Sequence, residues 1–461
     1  MNRDYSLPKA DGVRLQVASY WLTIAVGFLL ASGIYPLLLA LARTTYEMPW
    51  KDFFYTALVL HVDFTVLWWL LAIAAVFWTL ASSDKGLGWS KVAMLLVVAG
   101  GFYAAIAPLL ADANPLTNNY VPMLEDNRFF RKGLYLLGCG VFILVLRAMF
   151  TISWRDIFSD EAATLRFGIW SSAVAALIAI LALAWSYVSL HGMVEPLDGR
   201  AYYETLFWAG GHVLQFTHTL LLMVAWLWLA TICGARLSVG SKPVAGLFLI
   251  TLLCVLITPW PYLTHEVSDP QFMSWFVWLM RDGNGVAPFF VGLMIFWGVM
   301  KGALPTKENH HLYMSLLFSV GLFALGGVLG LFIGESSTLI TAHYHGSIVA
   351  VTMAFMAMTY YWLPQFGFGL PNLKWAKIQV YTYAVGQFAH IIGLAWGGGH
   401  GMKRKVVGTT QDIGVQTFIT PQDLVGLGGV VAVLSGVLFA IVVLPVLIKG
   451  RNAGSSMSGE A

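Results

Sequence analysis

The stretch "LITAHYHGSIVAVTMAFMAMTYYWLP", residues 339–364, sets two histidines two positions apart at the head of an otherwise apolar run. A run this long crosses a bilayer as a helix, since about 20 residues at about 1.5 Å each span a hydrocarbon core of about 30 Å. On that helix His343 and His345 stand about 200° apart, so their imidazoles leave opposite sides. They cannot easily share one metal ion. A helix offering one nitrogen donor to each side suggests two separate cofactors flanking it.

The remainder of the chain supports the membrane reading. Its 461 residues are 58 % hydrophobic and only 11 % charged, with a mean hydropathy of +0.74, far from the usage of a soluble domain. Runs of spanning length fall at about 14–43, 52–80, 89–111, 133–153, 167–190, 206–233, 244–263, 285–303, 312–333, 338–363, 376–397 and 423–448. This predicts an all-α polytopic protein of about twelve transmembrane helices, one integral-membrane catalytic domain over 1–461 with short cytoplasmic tails. The first run has no small-residue cleavage site and reads as a retained span. Cys139, Cys233 and Cys254 form no CxxC pair, which speaks against a thiolate zinc site, a disulfide framework or a covalently attached c-type haem.

Orientation follows from charge. With the N-terminus in the cytoplasm, 16 of the 26 basic residues and about 8 of the 23 acidic ones fall inside, which leaves the outer side acidic. Spans two, six and ten then run inward and span seven outward. His61 opens span two, His212 opens span six, His265 closes span seven, and His343 and His345 open span ten. All five lie in the outer third of the membrane. A single such histidine would ordinarily be a satisfied core residue; five at one depth on four spans point to a site, because intramembrane ionisable groups are costly. Neutral imidazole is also a usual ligand of iron and copper, and a haem needs one or two axial nitrogens in an apolar pocket. His218 lies about 240° around the helix from His212 and cannot join its site without a kink. His310 and His311 read as solvated residues at the cytoplasmic end. His390 and His400 either hydrogen-bond a cofactor carboxylate or simply pack.

The His-x-His of span ten, with one histidine heading span two, one heading span six and one closing span seven, resembles subunit I of the haem–copper oxygen and nitric oxide reductase superfamily over essentially the whole chain. The resemblance implies that His61 and His345 bind a low-spin haem from its two faces and that His343 binds a high-spin haem, the haems being b-type. It implies that His212 and His265 bind a nearby non-haem copper or iron. In "GGGHGMKRKV", 397–406, Lys403 and Arg404 look like partners of the haem propionates, though alone the run would read as a solvated loop. "TNNYVPMLEDNRFF", 117–130, looks like the outer loop near the low-spin haem.

The departures from that family are informative. It usually has two adjacent histidines at the end of span seven, whereas here His265 is followed by Glu266, either a metal ligand or proton relay or a solvated loop acid. A carboxylate ligand shifts preference toward iron. Oxygen-reducing members carry a tyrosine four residues after the span-six histidine; Phe216 stands there, leaving Tyr262 of span seven as the substitute. A buried glutamate two residues after that histidine is replaced by Leu214, and span eight, "VAPFFVGLMIFWGVM", lacks the usual lysine. These absences resemble nitric oxide reductases, which draw protons from outside. The expectation is reduction of NO to N2O at a haem and non-haem metal centre, with Gln215 either hydrogen-bonding a bound oxygen atom or satisfying a backbone group. A terminal oxidase using Tyr262 is the rival within the family, and a membrane transporter the rival outside it. Electrons would come from a small separate subunit of cupredoxin or cytochrome c type in the inner (plasma) membrane.

Overall fold

The computed structural model describes residues 3–42, 53–334, 337–404 and 419–450, and among them twelve long helices are present. They are α1 (Gly12–Ala42), α2 (Phe54–Ala81), α3 (Leu87–Leu110), α4 (Arg128–Thr151), α5 (Glu161–His191), α6 (Gly199–Ile232), α7 (Ser241–Thr264), α8 (Pro270–Met300), α9 (His310–Gly330), α10 (Thr338–Gln365), α11 (Leu373–Gly399) and α12 (Pro421–Ile448). The all-α, polytopic expectation holds. Eleven of these helices are long and apolar enough to cross a membrane; α11 is 27 residues long but carries Lys374, Lys377, Gln379, Gln387 and His390 and is more polar.

One span begins well before its expected start. The sequence puts span eight at 285–303, just after Arg281, Asp282, Gly283 and Asn284. The helix instead starts at Pro270, capped by Asp269, whose carboxylate accepts from the Gln271 N–H at 2.7 Å. It continues through these residues as a π-helical turn over Leu279–Asn284. Arg281 and Asp282 answer each other there through two bonds of 2.8 Å. Charges that neutralise one another need not end an intramembrane helix.

Neighbours in sequence pack as hairpins, α3 with α4, α5 with α6, α9 with α10 and α11 with α12. The α9–α10 contact is closest at Gly326 and Gly346. A Cβ on Gly346 would lie 2.5 Å from the Gly326 Cα, so only glycine allows this approach. Burial then separates inner from outer helices. In their most apolar stretches α2, α6 and α10 are 89, 89 and 83 % buried, against 28 % for α12. The three central helices are therefore those that carry His61, His212, His343 and His345.

Toward their C-terminal ends these three close on one another. Phe77 of α2 meets Trp362 and Phe355 of α10 at 4.9 and 5.7 Å between ring centres, and Trp362 meets Trp228 of α6 at 6.1 Å. Such pairs are each worth about 0.5–1.5 kcal/mol beyond burial. Trp226 donates to Ser319 Oγ at 2.8 Å, and Ser319 donates to the Ala350 carbonyl at 2.7 Å, tying α6, α9 and α10. These contacts pack the C-terminal halves of α2, α6 and α10, while their histidines stand in the N-terminal halves. His311 is buried, 4 % exposed and packed on Tyr360, rather than solvated as its place near a helix end suggested.

Candidate functional site

A cavity of about 2050 Å³ opens among the histidines of α2, α6 and α10 and reaches as far as Trp226 of α6 and Met356 of α10. Ordinary single-ligand pockets reach roughly 1,000 Å³, so there is room for more than one large cofactor. Six histidines line it: His61, His212, His218, His343, His345 and His390.

Four of them share one device. The ring Nδ1 of His61 lies 3.2 Å from the Ser32 carbonyl, that of His343 2.7 Å from Gly326, that of His345 3.0 Å from Thr341, and that of His390 2.8 Å from Val425. A carbonyl only accepts, so each Nδ1 carries the proton and each Nε2 is the unprotonated ring nitrogen. This second bond fixes tautomer and ring direction in metal-ligating histidines generally. Gly330 contributes by absence: a Cβ there would lie 2.6 Å from His343 Nδ1. The donor set of His61, His343 and His345 therefore fits histidines that would hold haem iron. His390 packs 5.0 Å from His345, ring to ring. Arg404 lines the cavity, with a guanidinium N–H donating to Asn119 Oδ1 at 2.7 Å, where it could meet a cofactor carboxylate; Lys403 is exposed and does not line it.

The α6 side is built differently. His212 donates from Nδ1 to the Trp208 carbonyl at 2.7 Å, and its Nε2 lies 2.7 Å from the hydroxyl of Tyr120. Tyr120 sits in the turn of a short hairpin, β1 (Asn114–Leu116) against β2 (Met123–Glu125). Asn118 Oδ1 shapes that turn by accepting from the Tyr120 and Val121 N–H groups, both at 2.9 Å. The phenol is wedged against Gly211, where a Cβ would come within 2.3 Å of it. Burial first, and then the Glu204 charge, hold its hydroxyl well above the usual phenol range, with Arg404 opposing, so it stays a donor. Sequence reading gave this loop no residue-level role; only a fold that lays the hairpin over α6 reveals Tyr120.

The span-seven residues do not reach the cavity. His265 follows the last turn of α7 in extended backbone, accepts from Trp275 Nε1 at 3.3 Å and lies 3.7 Å from Asp269. Glu266 is exposed in the same loop. Neither lines the cavity, so the expected grouping of His212, His265 and Glu266 is not assembled. Tyr262 is also elsewhere: its hydroxyl donates to the Ala182 carbonyl at 2.7 Å, lies 2.8 Å from Ser186 Oγ, and its ring stacks on Trp185 at 4.7 Å. Gln215 does line the cavity, one turn below His212.

Two further polar groups appear on that wall. His218 is 5 % exposed with neither ring nitrogen bonded, and Asn284 offers an unpartnered Oδ1 while its Nδ2 donates to Thr219 at 2.9 Å. The π-helical turn of α8 carries Asn284, as such turns often do at functional sites. Asp63, two residues beyond His61, is fully buried with both oxygens unpartnered.

Fold and site together define a polytopic membrane protein with a histidine-lined cavity suited to haem. Comparison with known proteins narrows this. The family model for "Cytochrome C and Quinol oxidase polypeptide I" matches residues 16–453. An uncharacterized protein of Rickettsia prowazekii is 27 % identical over 497 residues, 92 % of this chain and 95 % of the relative. Subunit 1 of cytochrome bo(3) ubiquinol oxidase from Buchnera aphidicola subsp. Schizaphis graminum is 27 % identical over 221 residues, 41 % of this chain and 31 % of that one. A heme-copper terminal oxidase dimer solved by cryo-EM superposes with a TM-score of 0.68 at 15 % identity, covering 95 % of this chain and 84 % of that chain, a likeness of fold. The chain belongs to the haem–copper oxidase subunit I family and is an integral multi-pass membrane oxidoreductase.

Proposed function

We propose that this chain is the catalytic subunit of a reductase that converts NO to N2O, taking electrons on the outer side of the inner membrane from a separate cupredoxin- or cytochrome c-type subunit. The observation that carries the choice of gas is that neither α6 nor α7 presents a phenol to the cavity: Phe216 stands on α6, and Tyr262 is tied to Ala182 and Ser186. His61 and His345 would hold one haem and His343 the other. Haem, when bound, supplies one-electron chemistry and an iron that takes diatomic gases. The chain's own residues prepare the pocket. The anchored Nδ1–H groups hold the imidazoles in place, and Arg404 offers charge at the rim. Gln215, His218 and Asn284 supply polar contacts on an otherwise apolar wall. Protons would come from the outer side, because Phe77, Trp228, Phe355 and Trp362 fill the inner route.

The test is turnover of purified protein with an artificial donor. NO should be consumed to N2O faster than O2, and vesicles with donor outside should show no outward pumping. O2 reduction with NO acting only as an inhibitor would sink the reading. A second reading is favoured by one observation, the Tyr120 hydroxyl beside His212: in an oxygen reductase this phenol would take the part of the missing span-six tyrosine, and Tyr120→Phe would then abolish O2 turnover.

A further inference from the structure

A non-haem metal next to a haem needs several donors with free lone pairs converging on one point. All eleven histidines and all three cysteines lie among the described residues, so the possible donors can be taken in turn. His61, His343 and His345 are placed for haem, and His390 packs beside His345. His310 and His311 open α9 at its inner end, while His191 and His400 are exposed. That leaves His212, His218 and His265.

These three cannot meet. Helix α8 stands between His265 and His212: its Trp275 bonds His265, whereas the Met273 carbonyl accepts from Trp208 at 3.1 Å and Phe276 faces His212 at 6.1 Å. His218 is six residues along the unbroken helix α6 from His212, about 9 Å deeper and about 240° around. Among the described residues no group of three or more His, Cys, Asp and Glu side chains could hold a metal. His212 has in addition nothing left to give. Its Nδ1 proton is donated to Trp208, and its single remaining lone pair, on Nε2, accepts the Tyr120 O–H.

We infer that this member of a haem–copper family binds haem but no non-haem copper or iron, and that the hydrogen-bonded pair Tyr120–His212 holds the position where such a metal's α6 ligand would be. The inference rests on the haem reading of the cavity, though not on which gas is reduced. Without a second metal, polar contact to a small molecule in the pocket falls to protein groups, of which the His218 ring nitrogens and the Asn284 Oδ1 are unpartnered.

The experiment is a joint count of haem, by pyridine haemochrome, and of total copper and iron on full-length protein purified from cells supplied with both metals. Haem with iron equal to the haem count, and copper well under one equivalent, is the expected result. His212→Ala and Tyr120→Phe should leave the copper-to-haem and iron-to-haem ratios unchanged, because there is no metal to lose. One equivalent of copper or extra iron that disappears in His212→Ala would overturn the inference. Because haem is counted separately, protein lacking haem would defeat the haem reading, while any copper or iron it retained would count against this one.

Discussion

On one wall of the cavity, made by α1, α2, α9 and α10, each imidazole spends its N–H on a backbone carbonyl and presents its other nitrogen inward. On the other wall, made by α6 and the hairpin turn, His212 begins the same way but its second nitrogen is taken by Tyr120. The same residue type, on equally buried central helices and at a similar depth, is thus prepared as a ligand in one place and closed off in the other. A histidine is a ligand only if its lone pair remains, and that depends on what the fold lays over it. The contrast also explains why Gly330 and Gly211 are glycines for opposite ends: one leaves space for the His343 ring, the other admits the phenol that occupies His212.

The contrast breaks most visibly at the first wall. If His61 and His345 hold one haem as proposed, His61→Ala or His345→Ala should abolish the low-spin haem spectrum while leaving part of the high-spin haem, since each would remove one of the two nitrogens offered to a single iron; normal low-spin spectra in both variants would remove the assignment. Gly346→Val forces α9 from α10 next to His343 and should cost about 1–3 kcal/mol as overpacking, read as a lower melting temperature together with a reduced haem-to-protein ratio. At the end of α7, away from both walls, the expected effects are small. His265→Ala should leave haem content and turnover unchanged, because the ring touches Trp275 and Asp269 and not the cavity; a loss of turnover with retained fold would place it back in the site. Tyr262→Phe should keep NO turnover and lose only about 1 kcal/mol of stability, the net worth of the bond to the Ala182 carbonyl, visible as a slight fall in thermal midpoint.

Twelve long helices, an all-α fold and a set of histidines on the central ones were legible in the sequence, because hydrophobic length and sparse charge reflect the solvent a helix must face. The α8 boundary was not, since the Arg281–Asp282 pair looks like a loop until the two side chains are seen to neutralise each other. Nor was the difference between the two walls. The sequence alone establishes which imidazoles exist and on which helices they stand, and His-x-His on α10 is already enough to send two rings to opposite sides. Whether a ring's lone pair is left open depends on contacts between residues far apart in the chain: Tyr120 with His212, Gly326 with His343, Trp275 with His265. Hydrogen bonds are directional and local, so a displacement of one residue makes or removes them, and only the packed tertiary structure decides which are formed.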